Sequence, residues 1–213
     1  ASPKLDDLQC VFAALQGFLS VKEEKSVPVL AIFDNEEVGS ETKQGARSTF
    51  LSDVLYRITK SVGGDRDDMT RFLSNSFMIS ADNAHAVHPN NISVADPTNR
   101  PAINGGIVIK YNANQRYTTD GVSAALFKMI LDKAGVKYQT FHNRSDILGG
   151  GTLGNISNTR VAVNTVDIGL PQLAMHSAYE TAGVKDTEDF IRASNTFYEC
   201  EIEKQGDGVY IIK

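Results

Sequence analysis

The sequence has few of the features that mark secreted, membrane-spanning or nucleic-acid-binding proteins. It contains only two cysteines, Cys10 and Cys200, so a disulfide framework is not indicated and a reducing cytoplasm is the simplest setting. No apolar run approaches about 18 residues, and residues 1–20 are acidic and amphipathic. The sequence therefore predicts neither a membrane span nor a cleavable signal peptide. A net charge of −5 provides no basic surface for nucleic acid.

The length of 213 residues is sufficient for one domain with a substantial core, and the 41% hydrophobic content is ordinary for a globular protein. Apolar periodicity predicts strands that alternate with helices, which indicates an α/β/α sandwich around a central mixed sheet. The expected helices span residues 5–20, 44–62, 66–75, 120–134, 172–183 and 187–204. The expected strands span residues 28–33, 77–81, 106–111, 137–142, 160–166 and 208–213.

The most informative segment is the acidic turn Asp34–Ser40, which follows the apolar run Val27–Ile32. That run is typical of a buried strand, so Glu36 and Glu37 are expected where the strand ends. Neighbouring side chains at a strand end point in different directions. One glutamate could therefore bind a metal while the other takes a proton from water. A bare Glu-Glu pair is more often a solvated turn, so the metal interpretation depends on partners elsewhere in the chain.

Three further segments contain residues that could complete such a site. They are Ser2–Leu8 with Asp6, Phe77–Asn90 with Asp82 and His85, and Leu170–Ser177 with His176. Together with the turn around Glu36, these segments closely resemble the M18 family of metallo-aminopeptidases, the aspartyl aminopeptidases. The resemblance covers residues 4–184, and the segments around Asp82 and His176 are very specific to that family.

The resemblance implies a dinuclear centre with two divalent metal ions. Zinc is expected, and manganese or cobalt is also compatible with the ligand types. Asp6 corresponds to the bridging aspartate, Glu37 and His176 to terminal ligands on one metal, and Asp82 to a terminal ligand on the other. Glu36 corresponds to the general base that acts on metal-activated water. The implied function is the release of N-terminal residues, preferably Asp or Glu, from peptides.

Each candidate ligand also has an ordinary structural role. Asp6 could be an acidic residue in the first turn of a helix, Asp82 a turn residue, and His176 a hydrogen-bonded core histidine. These roles are reasonable one by one, but several coincidences would be needed for all of them to hold, so the ligand interpretation is favoured. His85 is expected to donate a hydrogen bond to substrate or to the carboxylates, and His88 to be structural.

Three further residues are candidates for substrate binding, two through the resemblance and one through its glycine-rich loop. Lys110 corresponds to a lysine that pairs with the acidic side chain of the substrate, although a lysine at a strand end is usually solvated. Tyr117 resembles a tyrosine whose hydroxyl could stabilise an oxyanion, with packing under a loop nearly as plausible. The glycine-rich loop Asp146–Gly154 lacks the ending of a phosphate-binding loop. Close approach of a peptide backbone near Gly150 is therefore favoured.

Members of the family are much longer than this chain, which begins Ala-Ser-Pro. Upstream they carry a catalytic segment with a histidine ligand and an inserted domain that makes subunit contacts. Residues 1–213 are therefore expected to be a single partial catalytic domain, belonging to a polypeptide that forms a homo-oligomer. The second metal, with only Asp6 and Asp82, is expected to bind weakly here.

Two alternatives to a selective aminopeptidase remain at this point. The first is a catalytically incomplete fragment or a non-catalytic assembly subunit of the same fold. The retained Glu36, Glu37, Asp82 and His176 argue against a loss of chemistry in the parent protein. The second is an aminopeptidase with broad or neutral preference, which Lys110 alone does not exclude.

Overall fold

Helices and strands alternate along the computed structural model, which describes all of residues 1–213. The α-helices are α1 (Leu5–Leu19), α2 (Phe50–Ser61), α3 (Arg66–Ser74), α4 (Gly121–Ala134), α5 (Leu153–Asn158) and α6 (Val184–Glu199). The strands are β1 (Phe77–Ala81), β2 (Ala84–His85), β3 (Ile107–Tyr111), β4 (Tyr138–His142), β5 (Asn164–Gly169), β6 (Pro171–Leu173), β7 (Thr181–Ala182), β8 (Ile202–Gly206) and β9 (Val209–Ile212). None of the helices is long and apolar enough to cross a membrane.

Four strands form the central sheet in the order β1-β5-β3-β4. β1 is parallel to β5 and β3 is parallel to β4, whereas β3 and β5 are antiparallel. The smaller sheets are β2-β6-β7 and the hairpin β8-β9. The expected α/β fold with a central mixed sheet is thus confirmed.

The main core lies between the central sheet and the helices α1, α4 and α6. Ile107 and Ile109 of β3, Phe127 of α4 and Phe190 of α6 are almost fully buried there. Because β3 lies between two strands and is covered by helices, it reads as a continuous apolar run rather than an alternating one. A second, smaller cluster around Leu51 packs α2 and α3 near β1.

Two of the predicted elements are wrong. Residues 28–33 form no strand, because no neighbouring strand supplies hydrogen-bond partners to their backbone. The helix predicted at 172–183 is replaced by β6, a turn and β7. Here Ala174 and His176 adopt left-handed backbone angles that a helix cannot contain. The strand predicted at 160–166 lies a few residues later, at β5.

The close crossing of α1 and α6 gives a test of the packing. A Cβ atom on Gly17 would lie 2.4 Å from Ser194 Cβ and 2.9 Å from the Ile191 carbonyl oxygen. We expect Gly17→Ala to force the helices apart and to lower the free energy of unfolding by about 1–3 kcal/mol, measured by urea denaturation.

Gly121→Ala is the matched control for that substitution. Gly121 also lies in a helix, but no atom is within 4 Å of its added Cβ. Stability should therefore be unchanged or raised by up to about 1 kcal/mol. Equal urea midpoints for Gly17→Ala and the unaltered protein would contradict the close packing of α1 on α6.

Candidate metal centre

Asp6, Glu37 and His176 converge on one point. His176 Nε2 lies 3.1 Å from Asp6 Oδ2 and 3.0 Å from Glu37 Oε2. The side chain of Asp6 is 4% exposed, whereas those of Glu37 and His176 are 50% and 63% exposed. The cluster is therefore buried on the side of Asp6 and open to solvent on the side of Glu37 and His176. Two carboxylate oxygens and an imidazole nitrogen at this spacing can hold a divalent cation.

The backbone at each of these residues departs from regular secondary structure. Asp6 lies in the first turn of α1, yet its φ of −81° and ψ of 109° are not helical. Glu37 lies in the 3-10 turn Glu36–Val38, directly after Asn35, which has a left-handed conformation. His176 has a φ of 66° in the turn between β6 and β7. The three side chains thus reach one another from separate turns rather than from one rigid element.

Asp82 lies in a second acidic group, together with Asp6 and Asp7. One oxygen from each carboxylate lies within 4.8 Å of the others. Asp82 follows β1 directly, and β5 passes so close that a Cβ atom on Gly169 would lie 2.3 Å from the Asp82 carbonyl oxygen. Asp6 belongs to both groups, which is the placement that a bridging carboxylate requires.

The crowding of carboxylates changes their protonation. Burial raises the pKa of Asp6 to about 9, and the charges of Asp82 and Glu37 add to this rise. The pKa of Asp7 is also raised well above its ordinary value, first by burial and then by Asp82. Burial and the mutual repulsion of close carboxylates both favour the protonated form.

The donor atoms fit a divalent metal ion. Asp6 Oδ1 and Asp7 Oδ1 are buried and have no hydrogen-bond partner. A cation among the carboxylates would satisfy buried oxygens that otherwise lose hydration without compensation. Oxygen ligands combined with one imidazole suit zinc and other divalent transition metals.

Glu36 is half-buried beside this cluster. Desolvation raises its pKa to about 7, with further contributions from the charges of Asp82 and Glu37. A carboxyl group with a pKa near neutrality can both take and return a proton at physiological pH.

Lys110 is buried in the same region rather than solvated at the strand end. Its Nζ donates a hydrogen bond to the Asn83 carbonyl oxygen at 2.7 Å and lies 3.4 Å from Asp82 Oδ2. Burial opposes the charge of Lys110, but Asp82 and neighbouring groups outweigh this effect and raise the pKa of the ammonium group. The lysine thus places a positive charge against one of the predicted ligands.

The remaining predicted residues, Tyr117, His85 and Gly150, differ in their surroundings. The Tyr117 ring is buried, with its centroid 5.6 Å from Lys110 Nζ. His85 keeps an exposed surface, yet partial desolvation and then the charges of Lys110 and His176 lower its pKa. Gly150 has no atom within 4 Å of an added Cβ, so local packing does not require glycine there.

Sequence reasoning missed two acidic residues at this site. Asp7 joins Asp6 and Asp82, and its position directly after Asp6 was the available signal. Glu180 accepts backbone hydrogen bonds from both Asp6 and His176. Its only sequence signal was its position four residues after His176.

A mixed α/β fold with a carboxylate–histidine cluster beside its strand ends is typical of metal-dependent hydrolases. The family model described as Aminopeptidase I zinc metalloprotease (M18) matches residues 1–198. The chain therefore belongs to the M18 family of aminopeptidases, which confirms the resemblance seen in the sequence. The description of the family also supports the use of a metal.

Individual relatives agree with this assignment. A probable M18 family aminopeptidase 2 of Clostridium acetobutylicum is 52% identical over 198 residues, which cover 93% of this chain and 46% of that protein. The crystal structure of an M18 aminopeptidase from Thermotoga maritima matches with a TM-score of 0.84 at 29% identity. That match covers 93% of this chain and 45% of the other.

The S. cerevisiae mApe1 dodecamer matches with a TM-score of 0.81 at 31% identity, over 92% of this chain and 45% of that one. The chain thus spans about half the length of the relatives that it matches. The Clostridium and Thermotoga relatives are named as aminopeptidases, which are hydrolases.

Proposed function

We propose that this protein is a metal-dependent aminopeptidase that releases N-terminal residues, preferably Asp or Glu, from peptides. The observation that carries the proposal is the convergence of Asp6, Glu37 and His176, with contacts of 3.0 and 3.1 Å, in a chain of the M18 family. Comparison with aminopeptidases does not favour the alternative of a non-catalytic assembly subunit.

Two divalent ions, zinc in the first place, are the proposed cofactors. Asp6, Glu37 and His176 would hold one ion, and Asp6 with Asp82 would contribute to holding the second. When bound, such ions supply Lewis-acid activation of water and of the scissile carbonyl group. Asp6 is buried, whereas Glu37 and His176 are exposed, so a substrate can approach the site from their side.

Glu36 is the proposed general base. It is adjacent in sequence to Glu37 but is absent from the group that contains Asp6, Glu37 and His176. Its carboxylate is thereby free to take a proton from the attacking water and to return it to the leaving amine. His85 and Tyr117 are proposed to contact the substrate, and the loop at Gly150 to lie along its backbone.

The proposed preference for acidic substrates depends on Lys110. A buried ammonium group near the cluster can attract a carboxylate strongly, because little water screens the interaction. The contact between Lys110 and Asp82 gives the lysine a second possible task, which is to hold this ligand in place. Substrate selectivity distinguishes the two tasks.

Lys110→Met removes the charge while keeping most of the side-chain volume. If Lys110 pairs with the substrate carboxylate, kcat/KM for peptides beginning with Asp or Glu should fall. The fall should correspond to a loss of about 2–5 kcal/mol in transition-state binding. Peptides beginning with Leu or Ala should be affected far less. Lys60→Met, at an exposed lysine of α2, is the control.

Equal losses on acidic and neutral peptides would instead assign Lys110 to the support of Asp82. The zinc content of the variant, measured in the same preparations, should then fall as well.

The reaction class is tested in the protein as its source organism makes it. We expect peptides with a free N-terminus to be shortened one residue at a time, with loss of activity in a strong chelator and recovery when zinc is restored. Peptides with an acetylated N-terminus serve as the control and should remain intact. Internal cleavage, or full activity in the chelator, would refute a metallo-aminopeptidase.

We further propose that residues 1–213 belong to one catalytic domain, that the protein acts in the cytoplasm, and that it forms a homo-oligomer. The related mApe1 is described as a dodecamer, which supports self-association. Analytical ultracentrifugation tests the proposed self-association, and a protein that sediments as a monomer at micromolar concentration would refute it.

A further inference from the structure

Glu180 lies next to two of the proposed metal ligands and is 2% exposed. Its two oxygens accept hydrogen bonds from different parts of the chain. Oε2 accepts from the Asp6 backbone N–H at 3.0 Å, and Oε1 accepts from the His176 backbone N–H at 2.7 Å. One side chain therefore binds the backbones of two proposed ligands at once.

The backbone of Glu180 is fixed as well. Its N–H donates to the Ser2 carbonyl oxygen at 3.1 Å, and its own carbonyl accepts from the Ser2 N–H at 3.0 Å. The segment that leads into Asp6 is thus attached to Glu180 by both backbone and side-chain hydrogen bonds. A buried carboxylate loses its hydration, and charge-assisted hydrogen bonds from backbone amides offset that loss.

The local backbone at His176 is strained, and that at Asp6 interrupts the helical conformation. His176 has a φ of 66°, a left-handed conformation that costs an L-residue with a side chain about 1–2 kcal/mol. Asp6 has non-helical angles within the first turn of α1. A strained conformation persists at a functional site only where the surrounding structure holds it in place.

We propose that Glu180 is a positioning residue that sets the separation of Asp6 and His176, and so the affinity of the site that these residues form with Glu37. The inference rests on the proposed metal site. Glu180 itself does not touch the reacting atoms. It acts by fixing the backbones from which Asp6 and His176 extend to within 3.1 Å of each other.

Glu180→Gln tests this role with little change in shape. The glutamine offers one oxygen and one NH₂ group, so one of the two backbone N–H groups loses its acceptor. We expect the affinity for zinc, measured by competition with a chromophoric chelator, to fall by about 10–100-fold, as when a group that orients metal ligands is lost.

Asp186→Asn is the matched control. Asp186 is also a fully buried carboxylate that accepts two backbone hydrogen bonds, from Asn104 at 2.7 Å and from Gly106 at 2.9 Å. It makes no contact with the proposed ligands. We expect this variant to lose thermal stability but to bind zinc within about twofold of the unaltered protein, because Asp186 neither binds the metal nor orients its proposed ligands.

A second measurement uses the unaltered, metal-free protein and so does not depend on how a variant folds. The His176 amide should exchange with deuterium at least about tenfold more slowly than the Ala178 amide of the same turn, which has no hydrogen-bond partner. NMR resolves the two amides individually.

The outcomes separate this inference from the metal site itself. Zinc binding by Glu180→Gln within about twofold of the unaltered protein, or equal exchange at His176 and Ala178, would overturn the positioning role. An absence of zinc binding in the unaltered protein would refute the proposed metal site, and the inference with it. An equal fall in zinc affinity for Asp186→Asn would show that general loss of stability causes the effect.

Discussion

Glu36→Gln is expected to lower kcat by about 10²–10⁴-fold while zinc content stays at the level of the unaltered protein. Glutamine has nearly the same shape as glutamate but cannot take a proton from water at neutral pH. Glu37 and His176 form their cluster without Glu36, so the metal should remain bound. Steady-state kinetics and metal analysis on the same preparation check both halves of the prediction.

Glu24→Gln provides the comparison for this experiment. Glu24 is an exposed glutamate in the connector after α1, so its substitution should leave both kcat and zinc content unchanged. Turnover of Glu36→Gln within a few-fold of the unaltered protein would remove Glu36 from the proton transfer. A parallel loss of zinc would instead make Glu36 a ligand.

Asp6→Asn is expected to weaken zinc binding by more than about 100-fold, beyond the loss caused by a residue that only orients ligands. Asp6 belongs to both acidic groups and is the buried member of the cluster that it forms with Glu37 and His176. An amide oxygen carries no negative charge, so it neither balances a divalent cation nor bridges two of them. Isothermal titration with zinc measures the change.

The same substitution should also change how the stability of the metal-free protein depends on pH. The fold raises the pKa of Asp6 from 3.8 to about 9, chiefly by burial, so the folded state keeps a proton that the unfolded chain has lost. The stability that this group contributes is complete below about pH 4, and it is lost as the pH rises towards about 9. In a chelator, Asp6→Asn should therefore show a weaker decline in unfolding free energy over that range.

Asp207→Asn is the control for both measurements. Asp207 is exposed in the turn between β8 and β9, directly before Gly208, and Asn-Gly suits such a turn as well as Asp-Gly does. Its zinc affinity and pH dependence should match those of the unaltered protein. Tight zinc binding by Asp6→Asn would contradict the assignment of Asp6 as a ligand.

Much of the fold could be predicted because its signals are local. Asp65 and Asp120 each cap a helix through a reciprocal pair of hydrogen bonds, and these helices begin where the sequence indicated. The run Ile107–Ile109 identified a buried strand by composition alone. The convergence of Glu37 and His176 with Asp6 was likewise anticipated, because recognisable motifs marked each residue.

The failures have a common physical cause, which is dependence on distant partners. Residues 28–33 have the composition of a strand, but a strand exists only where a neighbour pairs with its backbone. The segment 172–183 has helical spacing, yet pairing of Gln172 with His85 in the small sheet determines its conformation. Glu180 was overlooked because its partner Asp6 lies 174 residues away.

That long separation affects the rates of folding and unfolding. The hydrogen bond between Asp6 and Glu180 joins residues that lie 174 positions apart, and β1 pairs with β5 across half that separation. Contacts between distant segments form slowly, because the chain must lose the entropy of closing a large loop before these contacts stabilise the fold. A metal bound only after this closure stabilises the native state but not the folding transition state. Zinc is therefore expected to slow unfolding while leaving the refolding rate nearly unchanged.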